Sequence, residues 1–65
     1  MDTHGVKVKT TESKRAQWLT SDGGLTSKLL HAALATPERA EAYARDIAES
    51  NAGRVEWARA EAVFK

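Results

Sequence analysis

Apolar and polar residues alternate strictly along Val6-Lys7-Val8-Lys9-Thr10, with β-branched side chains at every second place. A period of two predicts a strand with one buried face and one lysine-bearing face. Thr11-Glu12-Ser13-Lys14 has no period and reads as a connection. Arg15 to Thr20 offers a second strand, paired back on the first as a hairpin. Ser21-Asp22-Gly23-Gly24 closes it, since glycine accepts the positive φ of tight turns.

Leu29, Leu30, Ala33 and Leu34 fall at i, i+1, i+4 and i+5, which predicts a short helix begun at Thr26 or Ser27. An irregular crossing over the core is the alternative. The pattern then becomes clear. Thr36 suits an N-cap, Pro37 the first helical position, and Glu38 and Glu41 the positive end of the dipole. Ala40, Tyr43, Ala44, Ile47 and Ala48 recur with helical spacing, so residues 37–50 form an amphipathic helix that Ser50-Asn51-Ala52-Gly53 ends.

Residues 54–65 divide two architectures. Their Ala, Glu and Arg content favours a helix, and with it a mostly α protein. Arg54-Val55-Glu56-Trp57 nevertheless opens with alternation just after a glycine, which favours a strand. A regular strand puts Val55, Trp57 and Val63 on one face and Ala58, Ala60, Ala62 and Phe64 on the other. The expected fold is α+β: a three-stranded antiparallel sheet under one main helix, in the order β-β-(α)-α-β.

Length bounds this fold. With 65 residues the chain is one small domain, 1–65, whose residues 1–4 are expected to be disordered. Such a chain hides only ~60% of its unfolded surface. Hydrophobic residues make up 42%, many of them alanine, and there is no cysteine to staple a thin core. Small cores of this kind are often completed by a partner or a second copy. The net charge of +1 favours neither nucleic acid nor membrane as partner. Residues 1–28 carry five basic and three acidic side chains, whereas 29–65 carry five and six, so the basic excess is N-terminal. No apolar run reaches the ~18 residues of a membrane span and no signal-peptide pattern opens the chain, so a cytoplasmic protein is expected.

Candidate chemistry is sparse. His4 and His31 have no ligand partners at helical spacing, and no serine sits in a nucleophile elbow. Asp22-Gly23-Gly24-Leu25-Thr26-Ser27-Lys28 lacks the spacing of a phosphate loop. Neither a cofactor, nor a metal, nor an enzymatic activity is expected. Two surfaces remain. Lys7, Lys9, Lys14 and Arg15, with Trp18 near them and Lys28 beyond, form a basic strand face of the kind that grips single-stranded nucleic acid. On this reading Trp18 itself is wanted for the core. At the other end, a single sheet has only one covered side, so Trp57 or Phe64 must lie on the uncovered one. An exposed aromatic flanked by Arg59 and Glu61 is what an interface anchor looks like. The first expectation is therefore a non-enzymatic accessory or inhibitor-type module that binds protein through Trp57, Arg59, Glu61 and Phe64, with homodimerisation on the same surface. The alternative is a small nucleic-acid-binding protein.

Overall fold

The computed structural model describes residues 2–63. Phe64, one of the expected interface residues, lies outside them. The chain forms β1 (His4–Thr10), β2 (Gln17–Leu19), β3 (Leu25–Thr26), a 3-10 turn (Leu29–His31), α1 (Pro37–Ser50) and β4 (Val55–Ala62). The strands make one antiparallel sheet in the order β3-β2-β1-β4. The fold is thus α+β with four strands rather than three. Among the described residues, no helix is long and apolar enough to cross a membrane.

The sheet grows from β1, which pairs on both sides. β4 runs its length, from His4 opposite Ala62 to Lys9 opposite Trp57. The ladder continues beyond both ends, with Val63 donating to Thr3 and Thr11 to Arg54. That continuous pairing overrides the helical propensity of Ala58, Ala60 and Ala62 and excludes the mostly α alternative. β2 is shorter than the pattern suggested, and its register sets Trp18 opposite Lys7 and Gln17 opposite Val8.

The short helix expected to begin at Thr26 or Ser27 does not form. Leu25 and Thr26 pair with Leu19 and Trp18 as a short edge strand, and only a 3-10 turn follows. Lys28 caps that turn with no side-chain bond. The backbone that a helix would need is committed elsewhere. Ala33 donates to Leu19, while Ala35 exchanges two bonds with His4. β1 consequently begins at His4, inside the segment expected to be disordered.

α1 behaves as its sequence predicts. Thr36 accepts a bond from the Arg39 N–H, Pro37 fills the first position, and Asn51 caps the far end through Ile47. The helix lies over β1 and β4 and buries Ala40 and Ala44 against Val6 and Val8. Leu19, Ala35, Ile47, Val55, Ala58 and Ala60 pack around these four. Alanines at the crossing let the helix approach the sheet closely, but they leave the core thin. The radius of gyration is 10.7 Å, about the value expected of a globular chain of this length. Exposed aromatic surface here is therefore not the sign of a loosened fold.

A candidate binding face on the open side of the sheet

One layer of helix covers one side of the sheet, so every second residue of each strand points away from it. On β1 those residues are Gly5, Lys7 and Lys9, alternating with the buried Val6 and Val8. Residues directly opposite one another across a ladder share a face. The register therefore carries Trp18, Trp57, Arg59 and Glu61 to the same open side, through the pairs Lys7 with Trp18, Lys9 with Trp57, Lys7 with Arg59 and Gly5 with Glu61. Lys7 and Lys9 of the basic strand and Trp57, Arg59 and Glu61 of the aromatic stripe, read separately from the sequence, share one face.

Two placements differ from expectation. Trp18 belongs to the open face and not to the core. Its ring lies against Gly5, so closely that a Cβ built there would sit 2.8 Å from both Cε3 and Cζ3. A glycine inside a strand often marks such an approach, and Gly5 is the residue in the sequence that signals it. The second difference is at the start of β4. The register shifts between Lys9 and Thr10, so Glu56 is an extra residue. This bulge turns Val55 inward, where it packs on the core, and leaves Trp57 outward. Val55 and Trp57 therefore do not share a face, as a regular strand would require.

Trp57 is 38% exposed. The Arg59 guanidinium carbon lies 4.7 Å from its ring centroid, and the Lys7 ammonium lies 5.2 Å from that of Trp18. Each cation gains about 0.5–1 kcal/mol from the ring beneath it. Glu61 sits between the two cations, with Oε2 3.7 Å from both Lys7 Nζ and Arg59 Nε. That oxygen is buried and accepts no hydrogen bond among the described residues. Flanking positive charge offsets part of the cost of desolvating it. Lys9 is held more firmly, 2.9 Å from Glu56 Oε2 and 2.7 Å from the Thr10 carbonyl to which it donates. The face is amphipathic and nearly self-neutralised: two indoles, three cations and two carboxylates within one strand triplet.

Lys14 and Arg15 fall elsewhere. Both are exposed in the connection from β1 to β2, where the Ser13 hydroxyl donates to the Arg15 carbonyl. The hairpin does not bring Arg15 beside Lys7 and Lys9, and Gln17 faces the helix side with Val8. Lys28 is exposed at the 3-10 turn.

On the covered side, a groove of about 410 Å³ opens between α1 and β2, lined by Val6, Leu19, Leu34, Arg39 and Tyr43 among others. Its titratable lining residues are Asp2, Arg39 and Tyr43. Beyond it, the turn after β2 holds one perturbed carboxylate. The Thr20 hydroxyl donates to Asp22 Oδ1, as does the Gly24 N–H at 3.2 Å. These bonds, the hydroxyl first, hold the Asp22 carboxyl below its ordinary value of 3.8. Gly23 adopts φ +88° in the same turn, so the arrangement is accounted for as turn chemistry.

The chain matches no family model, no curated protein and no solved structure.

Proposed function

We propose that the chain is a non-enzymatic protein-binding module, of an accessory or inhibitor type, acting in the cytoplasm through the open face of its sheet. The observation that carries this reading is the exposed Trp57, stacked against Arg59 on a side that no element covers among the described residues. Tryptophan and arginine are the residues whose burial dominates protein interfaces. Arg59 is the freer cation, with its side chain 64% exposed. A fitting partner offers an apolar side chain beside a carboxylate, one for the indole and one for the guanidinium. Glu61 orients Arg59 from within the face.

A second reading, single-stranded nucleic acid, is favoured by the sharing of one sheet face between both tryptophans and Lys7 and Lys9. Stacked bases and neutralised phosphates need such a platform. Two features weigh against it. Lys9 is neutralised by Glu56 and Lys7 by Glu61, and the cations cover the rings on which bases would stack. Lys14 and Arg15 add nothing to the platform from their place in the connection.

The test is a tagged capture from lysate of the native host, with and without nuclease, for the wild type and Trp57→Ala. The protein-binding reading expects a stoichiometric partner that survives nuclease and is lost with Trp57→Ala, while the circular dichroism spectrum is unchanged. A partner lost on nuclease treatment, with affinity falling steeply as salt rises, supports the nucleic-acid reading instead. Unfolding of Trp57→Ala overturns the reading, because the side chain is then structural.

A further inference from the structure

The two edges of the sheet are unlike. β3, at one edge, has two residues and gives way at once to the 3-10 turn region. Short edge strands are a common way to prevent pairing with another chain. β4, at the other edge, has eight residues, Val-Glu-Trp-Ala-Arg-Ala-Glu-Ala, with no lysine or proline. Its one irregularity, at Glu56, lies at its start; from Trp57 to Ala62 the ladder to β1 is unbroken.

The bonding pattern says which groups face outward. Val63 donates to Thr3 and Thr11 to Arg54. Ladder bonds in an antiparallel pair recur at alternate residues. Trp57, Arg59 and Glu61 therefore direct their backbone groups to β1, and Ala58, Ala60 and Ala62 direct theirs away from the sheet. Among the described residues nothing pairs with these outward groups.

We propose that a second copy of this chain pairs with them: two β4 strands join antiparallel about a two-fold axis at Ala60, making one eight-stranded sheet. The side chains select this register. With the axis at Ala60, Ala58 faces Ala62 of the second copy. On the open face, Arg59 comes opposite Glu61 and Trp57 opposite Val63, each twice by symmetry. These open-face pairs occupy the non-hydrogen-bonded positions, where side chains approach most closely. Centring on Arg59 or Glu61 would set like charges against each other, and centring on Ala58 would draw the bulged Glu56 into the ladder. A two-fold interface needs a self-complementary patch, and β4 supplies one. The union joins both open faces into one surface bearing four tryptophans. It shares Trp57, Arg59 and Glu61 with the protein-binding reading, but capture of a different protein tests that reading and the mass of the pure chain tests this one, so the two fail distinguishably.

Sedimentation equilibrium of the full chain tests it. The expected mass rises with concentration from 7.1 kDa to twice that value. Ala60→Pro removes two outward N–H donors at the axis and no bond to β1, so the dimer Kd should rise about tenfold or more. Arg59→Glu should weaken the dimer similarly, and Arg59→Glu with Glu61→Arg should restore it. Circular dichroism reports whether each variant folds, and the charge-exchange pair decides the matter if the proline variant does not. A monomer up to ~1 mM overturns the proposal. So does a dimer that neither charge reversal nor the proline affects, because such a dimer associates by another surface.

Discussion

Gly5→Ala is the sharpest probe of the open face. An alanine Cβ at this position would lie 2.8 Å from Cε3 and Cζ3 of Trp18 and 3.5 Å from Val63 Cγ2. Carbon atoms rest at about 3.5–4.0 Å, so the indole must retreat by roughly 0.7 Å or more. The ring is rigid and lies beside Lys7, so it cannot yield by rotating a flexible end. Overpacking of this kind typically costs about 1–3 kcal/mol. Against it, replacing a strand glycine by alanine ordinarily gains about 0.5–1 kcal/mol by restricting the unfolded chain. The net expectation is a destabilisation of about 1 kcal/mol, or a fall in Tm of about 4–8 °C in a domain this small. Thermal unfolding followed by circular dichroism measures it, with urea titration as a second probe. The same substitution in a Trp18→Ala background should stabilise, because the ring is gone and only the backbone gain remains. A Gly5→Ala variant that is more stable than wild type, or effects that simply add across the cycle, would refute the placement of Trp18.

Three further outcomes follow from the packing. Val8 is 1% exposed at the centre of the core, so Val8→Ala should cost about 2 kcal/mol, whereas Leu30, 88% exposed, should tolerate alanine within about 0.5 kcal/mol; chemical denaturation of the two variants makes the comparison. Thr36→Ala removes the acceptor for the Arg39 N–H, a bond 3.4 Å long, and should cost about 0.5–1 kcal/mol in the same assay. The Asp22 carboxyl is held below 3.8 by Thr20 and Gly24, so its stabilising contribution is complete above that value and is lost as pH falls through the lowered folded-state value. An NMR titration should find Asp22 below 3.8, and Thr20→Val should return it towards that value.

Much of this architecture is legible in residue patterns where local chemistry and packing agree. Val6 and Val8 alternate with Lys7 and Lys9, and the two faces of β1 follow. Thr36, Pro37 and the stripe from Ala40 to Ile47 specify α1 at both the cap and the buried face. In β4, alternation predicts the strand against the propensity of its alanines, because pairing with β1 and packing of Val55, Ala58 and Ala60 on the core outweigh an intrinsic preference of a few tenths of a kcal/mol per residue. Patterns fail where tertiary bonds decide. Leu29, Leu30, Ala33 and Leu34 imitate a helical stripe, yet Ala33 and Ala35 are bound to Leu19 and His4, and the turn cannot propagate. Trp18 looks like core because it is large and apolar. Among the described residues, however, only one side of the sheet is covered, register outranks hydrophobicity, and pairing with Lys7 turns it outward. The Glu56 bulge is invisible to a period of two, so Val55 and Trp57 could not be separated in advance.

The candidate site was legible in its parts and not as a whole. Lys7, Lys9, Trp57, Arg59 and Glu61 each stand out from the sequence, but they lie at opposite ends of the chain. Only the position of β1 between β2 and β4 makes them neighbours. Their meeting also changes what they mean. The lysines that suggested phosphate binding are neutralised by Glu56 and Glu61, and what remains for a partner is an indole beside an accessible guanidinium.

A shared binding face requires both indoles to lie on the side of the sheet away from α1. Nuclear Overhauser contacts from the two ring systems test this directly in solution. The expected result is that Trp18 ring protons contact Gly5 Hα and the Lys7 side chain, and that Trp57 ring protons contact the Arg59 side chain. Contacts from either ring to the methyl groups of Val6, Val8, Ala40 or Ala44 would place that tryptophan in the core and contradict the shared face.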